Sequence, residues 1–480
     1  MNKKATFIAP YDDLMAYGIR ILSSSLRKEG FSTEIIFTPH ILKQTDAHSI
    51  ASLTDTIKEM TYDSYFVGIS FFSCHFNAVK TLTEALRNKI DIPIMWGGKH
   101  ISARPEDAAG FADIVCIGEA EIAIKNLLNA MRKNEDYSNI NGFWFLEDGN
   151  YKKNQLAPIV EDLDLLPYPD YSLEGHYLWD GKTMHKMTRE LLCEHLKIVG
   201  TVVYQTLSSR GCPYSCTYCS TFKALYSDSG YLRFRTAENV IGELKEMKSR
   251  IPGMQAITFC DDNFFALKED QLEKYAALYK KEIGLPLRCL AHAHDINKRK
   301  LEILVDAGMN EVQIGIQTGS EKTRKLYKRG PSCDKVLDSV RLINQFKGKL
   351  MPFYDFIIDN PFEEEEDLIE TLHMIQKFPR PYRLNVFSLI FLPGTELQKR
   401  AQEKGLIIDM TRQFESRKKS YINFLFYLYC RPIPLWIMGI LVSRPMLKIM
   451  KHKFIVDLLY FIRDSIKRLV KGKADAWAPE

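Results

Sequence analysis

The sequence predicts an α/β protein in two parts, a doubly wound flavodoxin-like sheet and then a partial (β/α)6 barrel, with a helical tail behind them. Two alternations and one cluster point there. Five strand-like apolar runs alternate with helical stretches over residues 1–140, and six more do so over residues 201–405. Parallel strands need a helical crossover to return the chain, so this alternation reads as βα units rather than hairpins. The third observation is chemical: Arg210-GCPYSCTYC-Ser220 brings Cys212, Cys216 and Cys219 within eight residues.

In the first part the strand-like runs are KATFIAP (4–10), TEIIFTP (33–39), YFVGISFF (65–72), IPIMWGG (92–98) and ADIVCIG (112–118). Doubly wound sheets bind ligands beyond their strand C-termini, which singles out the segments that follow. These are Asp13-Leu14-Met15-Ala16-Tyr17-Gly18, Ser70 at the end of the third run, Gly97-Gly98-Lys99-His100, and Gly118-Glu119-Ala120-Glu121. Paired glycines let backbone approach a large flat ligand, while Gly118 before an acidic helix start also suits an ordinary tight turn. Residues 141–200 form a connector: a hairpin, FWFLEDGNYKKN with Asp148-Gly149 as its turn, then IVEDLDLLPYPDY, rich in Pro, Asp and Tyr. The stretch 175–200, with His176, His185 and His195 among helical charge, carries no readable signal.

The barrel strands are TVVYQTL (201–207), AITFCDD (256–262), LRCLAHAHD (287–295), EVQIGIQTG (311–319), FYDFIID (353–359) and LNVFSLIFL (384–392), with helices starting near Thr236, Lys268, Asn297, Asp334 and Glu364. Barrel active sites lie at strand C-termini. There stand Asp261, Asp262 and Asn263; His292 and His294; Gln317, Thr318, Gly319 and Ser320; Asn360-Pro361-Phe362; and Pro393, Gly394 and Thr395. Asp, Asn, Ser and Thr at these places also suit helix N-caps. Tyr204, His292, His294 and Tyr354 are candidates for lining the cavity, against the alternative that strand aromatics pack the core.

Three thiolates from one loop leave a fourth coordination position open, which a reactive centre needs. A zinc site requires a fourth ligand, and no Cys or His follows within finger spacing. MNKKATFIAP runs straight into a strand without a signal-peptide pattern, so the expected setting is cytoplasmic, where thiols stay reduced and disulfides are not expected. The other cysteines, Cys74, Cys116, Cys193, Cys260, Cys289, Cys333 and Cys430, read as small buried hydrophobes.

CPYSCTYC resembles the radical S-adenosylmethionine (SAM) signature C-x₃-C-x-Φ-C, with Tyr218 as the aromatic. The resemblance implies a [4Fe–4S] cluster held by Cys212, Cys216 and Cys219, whose fourth iron binds SAM and whose electron cleaves it to a 5′-deoxyadenosyl radical. It assigns SAM contact to Tyr218, Asp261, Asp262, Asn263, Gln317, Thr318, Ser320, Pro393, Gly394 and Thr395. Gln317 stands in place of the family's usual Glu, and His294 where related sequences often carry arginine. The segments GGKHISARPED and VCIGEAE resemble the cobalamin-binding domain that precedes many such barrels. That resemblance assigns cobalamin contact to Asp13, Met15, Gly18, Ser70, Gly97, Gly98, His100, Gly118 and Glu119. Other cobalamin proteins carry D-x-H-x-x-G where this chain has Asp13 to Gly18, and Met15 replaces the cobalt-ligating histidine, implying histidine-off cobalamin. His75 and His100 are the alternative ligands. The connector also resembles the linker of cobalamin-dependent radical SAM proteins.

The tail, 406–480, changes composition. Ser420–Cys430 and Pro432–Val442 are apolar runs too short and too interrupted to span a membrane. Ile455, Leu458, Leu459, Ile462, Ile466, Leu469 and Val470 share a helical face, with Arg463, Lys467, Arg468 and Lys471 around them. From Arg412 onward the net charge is +9, against +5 for the whole chain. A basic amphipathic end suits peripheral contact with the inner membrane surface; a helical lid on the barrel is the alternative. No nucleic-acid module is present. The expected function is cobalamin-dependent radical SAM methylation of an unactivated carbon on a small-molecule or lipid-like substrate, with flavodoxin or ferredoxin as electron donor. The alternatives are a radical cyclase or rearrangement enzyme of the magnesium-porphyrin cyclase type, and a non-catalytic cobalamin- or cluster-binding regulator. The sequence names no catalytic side chain beyond these cofactor contacts.

Overall fold

In the computed structural model, which describes residues 3–39, 41, 47–220, 225–226, 231–406 and 418–471, the chain forms two compact units. The first comprises Met1–Cys212, Ser220–Gln255 and Leu392–Gly394; the second comprises Pro213–Cys219, Ala256–Phe391 and Thr395–Glu480. In the first, Lys4–Ala9 (β1), Ser32–Phe37 (β2), Ser64–Ser70 (β3), Ile94–Gly97 (β4) and Ile114–Cys116 (β5) are the expected strands. They pair in parallel in the order β2-β1-β3-β4-β5, the flavodoxin-like order.

The sheet is wider than the five strands expected. The hairpin Phe143–Glu147 (β6) and Asn150–Lys153 (β7) adds antiparallel to the β5 edge, its Asp148-Gly149 turn in the left-handed region at both positions. On the opposite edge His176–Trp179 (β8) joins β2 in parallel, and Met184–Lys186 (β9) closes a second hairpin. His176 therefore lies in a strand rather than among helical charge. It is fully buried, with Nε2 3.3 Å from Asp170 Oδ2, which also takes Ser23 Oγ at 2.6 Å and Arg27 Nε at 3.0 Å. Leu178 and Trp179 are buried beside it, but a run of four residues opening on a histidine is too short for apolar patterning to reveal.

The core of this unit centres on Trp96, enclosed by Phe71 edge-on at 5.2 Å and Phe111 stacked at 5.4 Å, with its indole N–H donated to Thr83 Oγ1 at 3.0 Å. Further along lie Lys197–Ile198 (β10), Thr201–Thr206 (β11), Ser209–Arg210 (β12) and Arg233–Phe234 (β13), β10 pairing antiparallel with β11 and β12 with β13. Tyr204 points away from any cavity: it is fully buried and donates to Glu243 Oε1 at 2.8 Å. Thr206 Oγ1 reaches the same oxygen at 2.7 Å, while Arg235 pairs with Glu243 Oε2 at 2.7 Å.

In the second unit Ala256–Phe259 (β14), Leu287–His292 (β15), Met309–Gln317 (β16), Met351–Ile358 (β17) and Arg383–Ser388 (β18) pair in parallel in chain order, making the curled sheet of a half-barrel. Helices Glu269–Glu282, Lys298–Asp306, Cys333–Asn344 and Glu365–Gln376 start at or within two residues of their expected places. Their N-termini are closed as the sequence suggests, with Asn297 and Ser332 accepting the N3 amides. A short helix, Glu321–Leu326, follows β16 unannounced by periodicity. Tyr354 packs against Phe378 at 5.1 Å and is buried, so it belongs to the core, not the cavity.

The tail folds as helices Tyr421–Tyr429, Leu435–Leu441, Arg444–Met450 and Lys453–Lys471. The first is almost wholly buried, as a lid would be, and Asn423 donates to Asp359 Oδ1 at 2.6 Å. Arg412 and the side chains of Lys467, Arg468, Leu469, Val470 and Lys471 lie outside the described residues. Among the described residues no helix is long and apolar enough to cross a membrane.

Glu243 is the buried acceptor on which three donors converge. Glu243→Leu strands Arg235 without its counter-charge and is expected to lower stability by about 3 kcal/mol, measured by urea unfolding.

Candidate active site and cofactor loops

β1 and β3 are neighbours whose connections leave in opposite directions, so the loops beyond them flank the crevice where this fold takes ligands. After β1 the chain turns at Asp13, whose carboxylate accepts the Met15 amide at 3.1 Å, and passes Ala16 in a left-handed conformation (φ 36°). Arg20, fully buried, clamps this loop: Nε donates to the Leu14 and Met15 carbonyls at 3.1 Å each, and Nη1 to the Asp170 carbonyl at 2.5 Å. Met15 is half-buried on this loop, and Gly18 is exposed one residue into the following helix.

The other loops converge on the same edge. Ser70 shares a 2.8 Å hydrogen bond with the Tyr11 hydroxyl. Gly97 accepts the Phe71 amide at 3.2 Å. Gly98 has φ 94°, and a Cβ there would sit 2.7 Å from Phe71 N and O and 2.9 Å from Ser70 Oγ. Only glycine fits, which leaves a flat backbone face. His100 is not presented to a ligand: it is buried under Phe71 and Phe76, with Nδ1 3.0 Å from Ser73 Oγ and Nε2 3.2 Å from Asp107 Oδ2. His75 is also buried, its Nδ1 3.3 Å from Cys74 Sγ, and burial pulls its pKa below the usual range. Each histidine thus has one ring nitrogen, Nδ1, against a neighbouring side chain.

Gly118 and Glu119, after β5, are occupied by protein. A Cβ at Gly118 would collide with the Tyr226 hydroxyl, which instead accepts the Glu119 amide at 2.8 Å. The Glu119 carboxylate is bound by Arg233 and by Arg210, the latter at 3.1 Å, and Arg210 also holds Glu121 at 2.5 Å. Burial opposes ionisation of Glu121, yet Arg210 holds its pKa below the usual carboxylate range. Arg210 also begins the run into the cysteines: β12 carries it, and Gly211 follows at φ 98°, where a Cβ would press on the Tyr231 carbonyl at 2.9 Å.

Cys212 ends the first unit; Cys216 and Cys219 belong to the second. None of the three is in a disulfide, and among the described residues no three His, Cys, Asp or Glu groups already stand at metal-ligand distances. In the second unit the loop is pinned by its non-cysteine residues. Thr217 donates its amide to the Tyr327 carbonyl at 3.0 Å and its hydroxyl to the Leu326 carbonyl at 2.8 Å, and its own carbonyl accepts the Leu397 amide at 2.8 Å. Tyr218 packs edge-on to Tyr327 at 4.8 Å, among Leu326, Phe391 and Leu397. Tyr214 stacks on His292 at 3.8 Å and donates to Asp295 Oδ2 at 2.8 Å.

The barrel strand ends complete the picture. Asp261 is buried and Asp262 exposed; Asn263 bridges Asp295 at 2.6 Å and the His292 amide at 3.1 Å. His292 is buried and its pKa is held down to about 2 by burial, with Arg329, His294 and Arg324 adding charge repulsion, while His294 is exposed. Gln317 adopts φ 72° at a β16 irregularity, its amide lying over Gly315, where a side chain has no room. Thr318 and Ser320 are buried and engaged: Thr318 with Thr371 at 3.2 Å, and Ser320 with Asp367 at 2.6 Å while capping the helix Glu321–Leu326. Pro393 is buried, and Gly394 (φ 75°) is exposed 3.5 Å from the Ala103 carbonyl by its absent Cβ. Thr395 caps Glu396–Glu403 through Gln398.

Arg329 is a candidate site residue that the sequence reading missed. Its Nη1 stands 3.4 Å from Cys216 Sγ, and its Nη2 donates to the Gly315 carbonyl. Only its position in Lys328-Arg329-Gly330, after a short helix, could have drawn attention.

Family comparison agrees with this geometry. The Radical SAM superfamily model matches residues 206–375, and the B12 binding domain model residues 4–128. The chain carries a radical SAM domain. It carries a cobalamin-binding domain ahead of the barrel and is a cobalamin-dependent radical SAM enzyme using a [4Fe–4S] cluster and SAM. An uncharacterized methyltransferase of Pyrococcus horikoshii is 24% identical over 405 residues, 82% of this chain and 80% of that protein. The bacteriochlorophyllide d C-8(2)-methyltransferase of Chlorobaculum tepidum is 23% identical over 65% of this chain and 63% of its own. The anaerobic magnesium-protoporphyrin IX monomethyl ester cyclase of Rubrivivax gelatinosus is 21% identical over 80% of this chain and 66% of its own. Among solved structures, the radical SAM methyltransferase TsrM from Kitasatospora setae superposes with TM-score 0.65 at 14% identity, over 84% of this chain and 76% of that one. OxsB with aqua-cobalamin gives 0.67 at 15%, over 98% and 81%.

The residues present fit these cofactors. Three cysteines outside any disulfide stand in one short run, and a glycine-lined backbone face stands at the switch point of the sheet. Gly98→Ala, strained in both φ and contact, is expected to weaken cobalamin binding about tenfold or more, read by spectral titration of the apoprotein. For His292, the depressed pKa means that below pH 6.5 the unfolded chain binds the proton first. Stability then falls as pH drops from 6.5 towards 2, by up to about 1.4 kcal/mol per pH unit. His292→Phe is expected to remove that slope in urea unfolding between pH 7 and 5.

Proposed function

We propose that the enzyme methylates an unactivated carbon on a small-molecule or lipid-like substrate. The observation that carries this reading is the loop Asp13–Gly18: Met15 stands where a cobalt-ligating histidine would, and both His75 and His100 are buried with ring nitrogens engaged. Thioether is a poor donor to Co(III), so Met15 on this loop would hold cobalamin in the histidine-off form. When bound, the cofactors supply one-electron cleavage of SAM and a transferable methyl group.

The protein's own contribution is to hold and orient. Cys212, Cys216 and Cys219 supply the cluster ligands. Arg329, a fixed cation near Cys216, suits the SAM carboxylate, as does the Asn263–Asp295 pair for a donor group. Asp261, Gln317 and Gly394 stay with these as contacts to SAM, whereas Thr318, Ser320 and Thr395 act by fixing the helices that carry them. Gly97 and Gly98 offer backbone to cobalamin, while Gly118 is covered by Tyr226. The interior of the barrel is lined by a polar chain in which Asp355 accepts from Gln313 at 2.7 Å and Asn385 at 2.8 Å, and burial raises the Asp355 pKa. The enzyme is cytoplasmic, takes its electrons from a flavodoxin or ferredoxin, and has its basic tail in peripheral contact with the inner membrane surface.

Radical cyclisation is the second reading, supported by the similarity to magnesium-porphyrin cyclases. The test is the fate of label from methyl-labelled SAM with the reconstituted, reduced enzyme. Label in product supports methylation; 5′-deoxyadenosine without label transfer supports cyclisation. No SAM cleavage at all overturns both in favour of a binding protein. Cys216→Ala is expected to lose its cluster iron, and full iron content in that variant overturns the cluster assignment.

A further inference from the structure

The helix Lys453–Lys471 carries two faces of opposite use. Val456 and Tyr460 point inward: Tyr460 donates to the Ser420 carbonyl at 3.2 Å and its ring lies 5.8 Å from Phe424. On the outward side Phe454, Leu458, Ile462 and Ile466 follow one another at intervals of four residues, with Phe461 three after Leu458, so they form one stripe. Phe454 is 76% exposed and Phe461 64%. Single exposed hydrophobes are ordinary, but a contiguous aromatic and aliphatic stripe on a helix whose core face is already satisfied marks a contact surface.

Charge identifies the occupant. The segment from Arg412 onward is net +9, with Lys448 and Lys453 before the stripe and Lys467, Arg468, Lys471 and Lys473 after its start. Asp464, on the same helix, is neutralised by Arg463 at 2.7 Å. Apolar stripe, basic flanks and too little length to span are the features of a helix lying in the interface of an anionic bilayer. We propose that Lys453–Lys471 docks on an anionic lipid surface with Phe454, Leu458, Phe461, Ile462 and Ile466 buried in it. This rests on the peripheral-membrane reading above and gives it a surface. It also gives a polarity: the helix packs on Tyr421–Tyr429, whose Asn423 is bonded to Asp359 just beyond the C-terminal end of β17. The bilayer therefore lies one helix layer from the strand ends where the chemistry occurs.

The test is co-sedimentation of the full-length holoenzyme with vesicles of phosphatidylglycerol and phosphatidylcholine, and of phosphatidylcholine alone. Binding to the anionic vesicles is expected, at least tenfold weaker to the neutral ones. Phe454→Glu with Phe461→Glu is expected to weaken it at least tenfold, with iron content, cobalamin content and melting temperature unchanged, since both rings are exposed. Wild type that ignores anionic vesicles overturns the membrane reading and the stripe together. Binding that survives the double variant but is lost in Lys467→Gln with Arg468→Gln and Lys471→Gln leaves a purely electrostatic contact and overturns the stripe. Dimerisation by light scattering that the double variant abolishes, without vesicle binding, assigns the stripe to a second copy of the chain and overturns the proposal.

Discussion

A buried exchange of four charges organises the first compact unit. Arg210 and Arg233 sit against Glu119 and Glu121, all four with less than a fifth of the side chain exposed. Burying any one alone would be prohibitive, and breaking one pair leaves its partner unpaired in a low-dielectric setting, so the four stand or fall together. Burial by itself would lower the Arg210 pKa, but Glu121 and Glu119 raise it, which keeps the set ionised. Glu119 and Glu121 follow the fifth strand of the cobalamin-binding sheet, and Arg210 stands two residues before Cys212. The root of the cluster loop is thereby fixed to a cobalamin-facing loop by electrostatics rather than by apolar contact.

Beyond that root the cysteine loop owes its shape to residues that never touch iron. Thr217 uses its amide, hydroxyl and carbonyl on three separate partners, Tyr218 fills a small aromatic core, and Tyr214 lies flat on His292. The loop backbone is thus held by residues other than the cysteines, the rigid support that a cluster site needs. Arg329 adds a fixed cation beside Cys216.

What the sequence made legible follows from the physics of each element. Strands buried on both faces announced themselves as apolar runs, and helix starts near Asn297 and Asp334 fell within two residues of those found, so most element boundaries are close. β8 escaped because it is four residues long and opens on His176, a fully buried polar residue set against Asp170. Thr318 and Ser320 were legible as strand-end polar groups but not as members of the Thr371 and Asp367 bonds that absorb them. Arg329 lies 113 residues from Cys216 in sequence, and Tyr226 lies 107 from Glu119; pairs so distant are products of topology alone. The cysteine triplet, by contrast, is legible because its ligands are local.

Arg20 shows what such fixing does for affinity. Its guanidinium is spent on the carbonyls of Leu14, Met15 and Asp170 and lies 3.9 Å from the Tyr171 ring. The segment beneath the expected corrin is thus closed before any cofactor arrives. A ligand that had to order six residues of loop would surrender part of its binding energy to conformational entropy. Here that entropy is lost during folding instead, so the affinity for a large, scarce cofactor is set by contact alone, and a chain starved of it keeps the receptor shape ready.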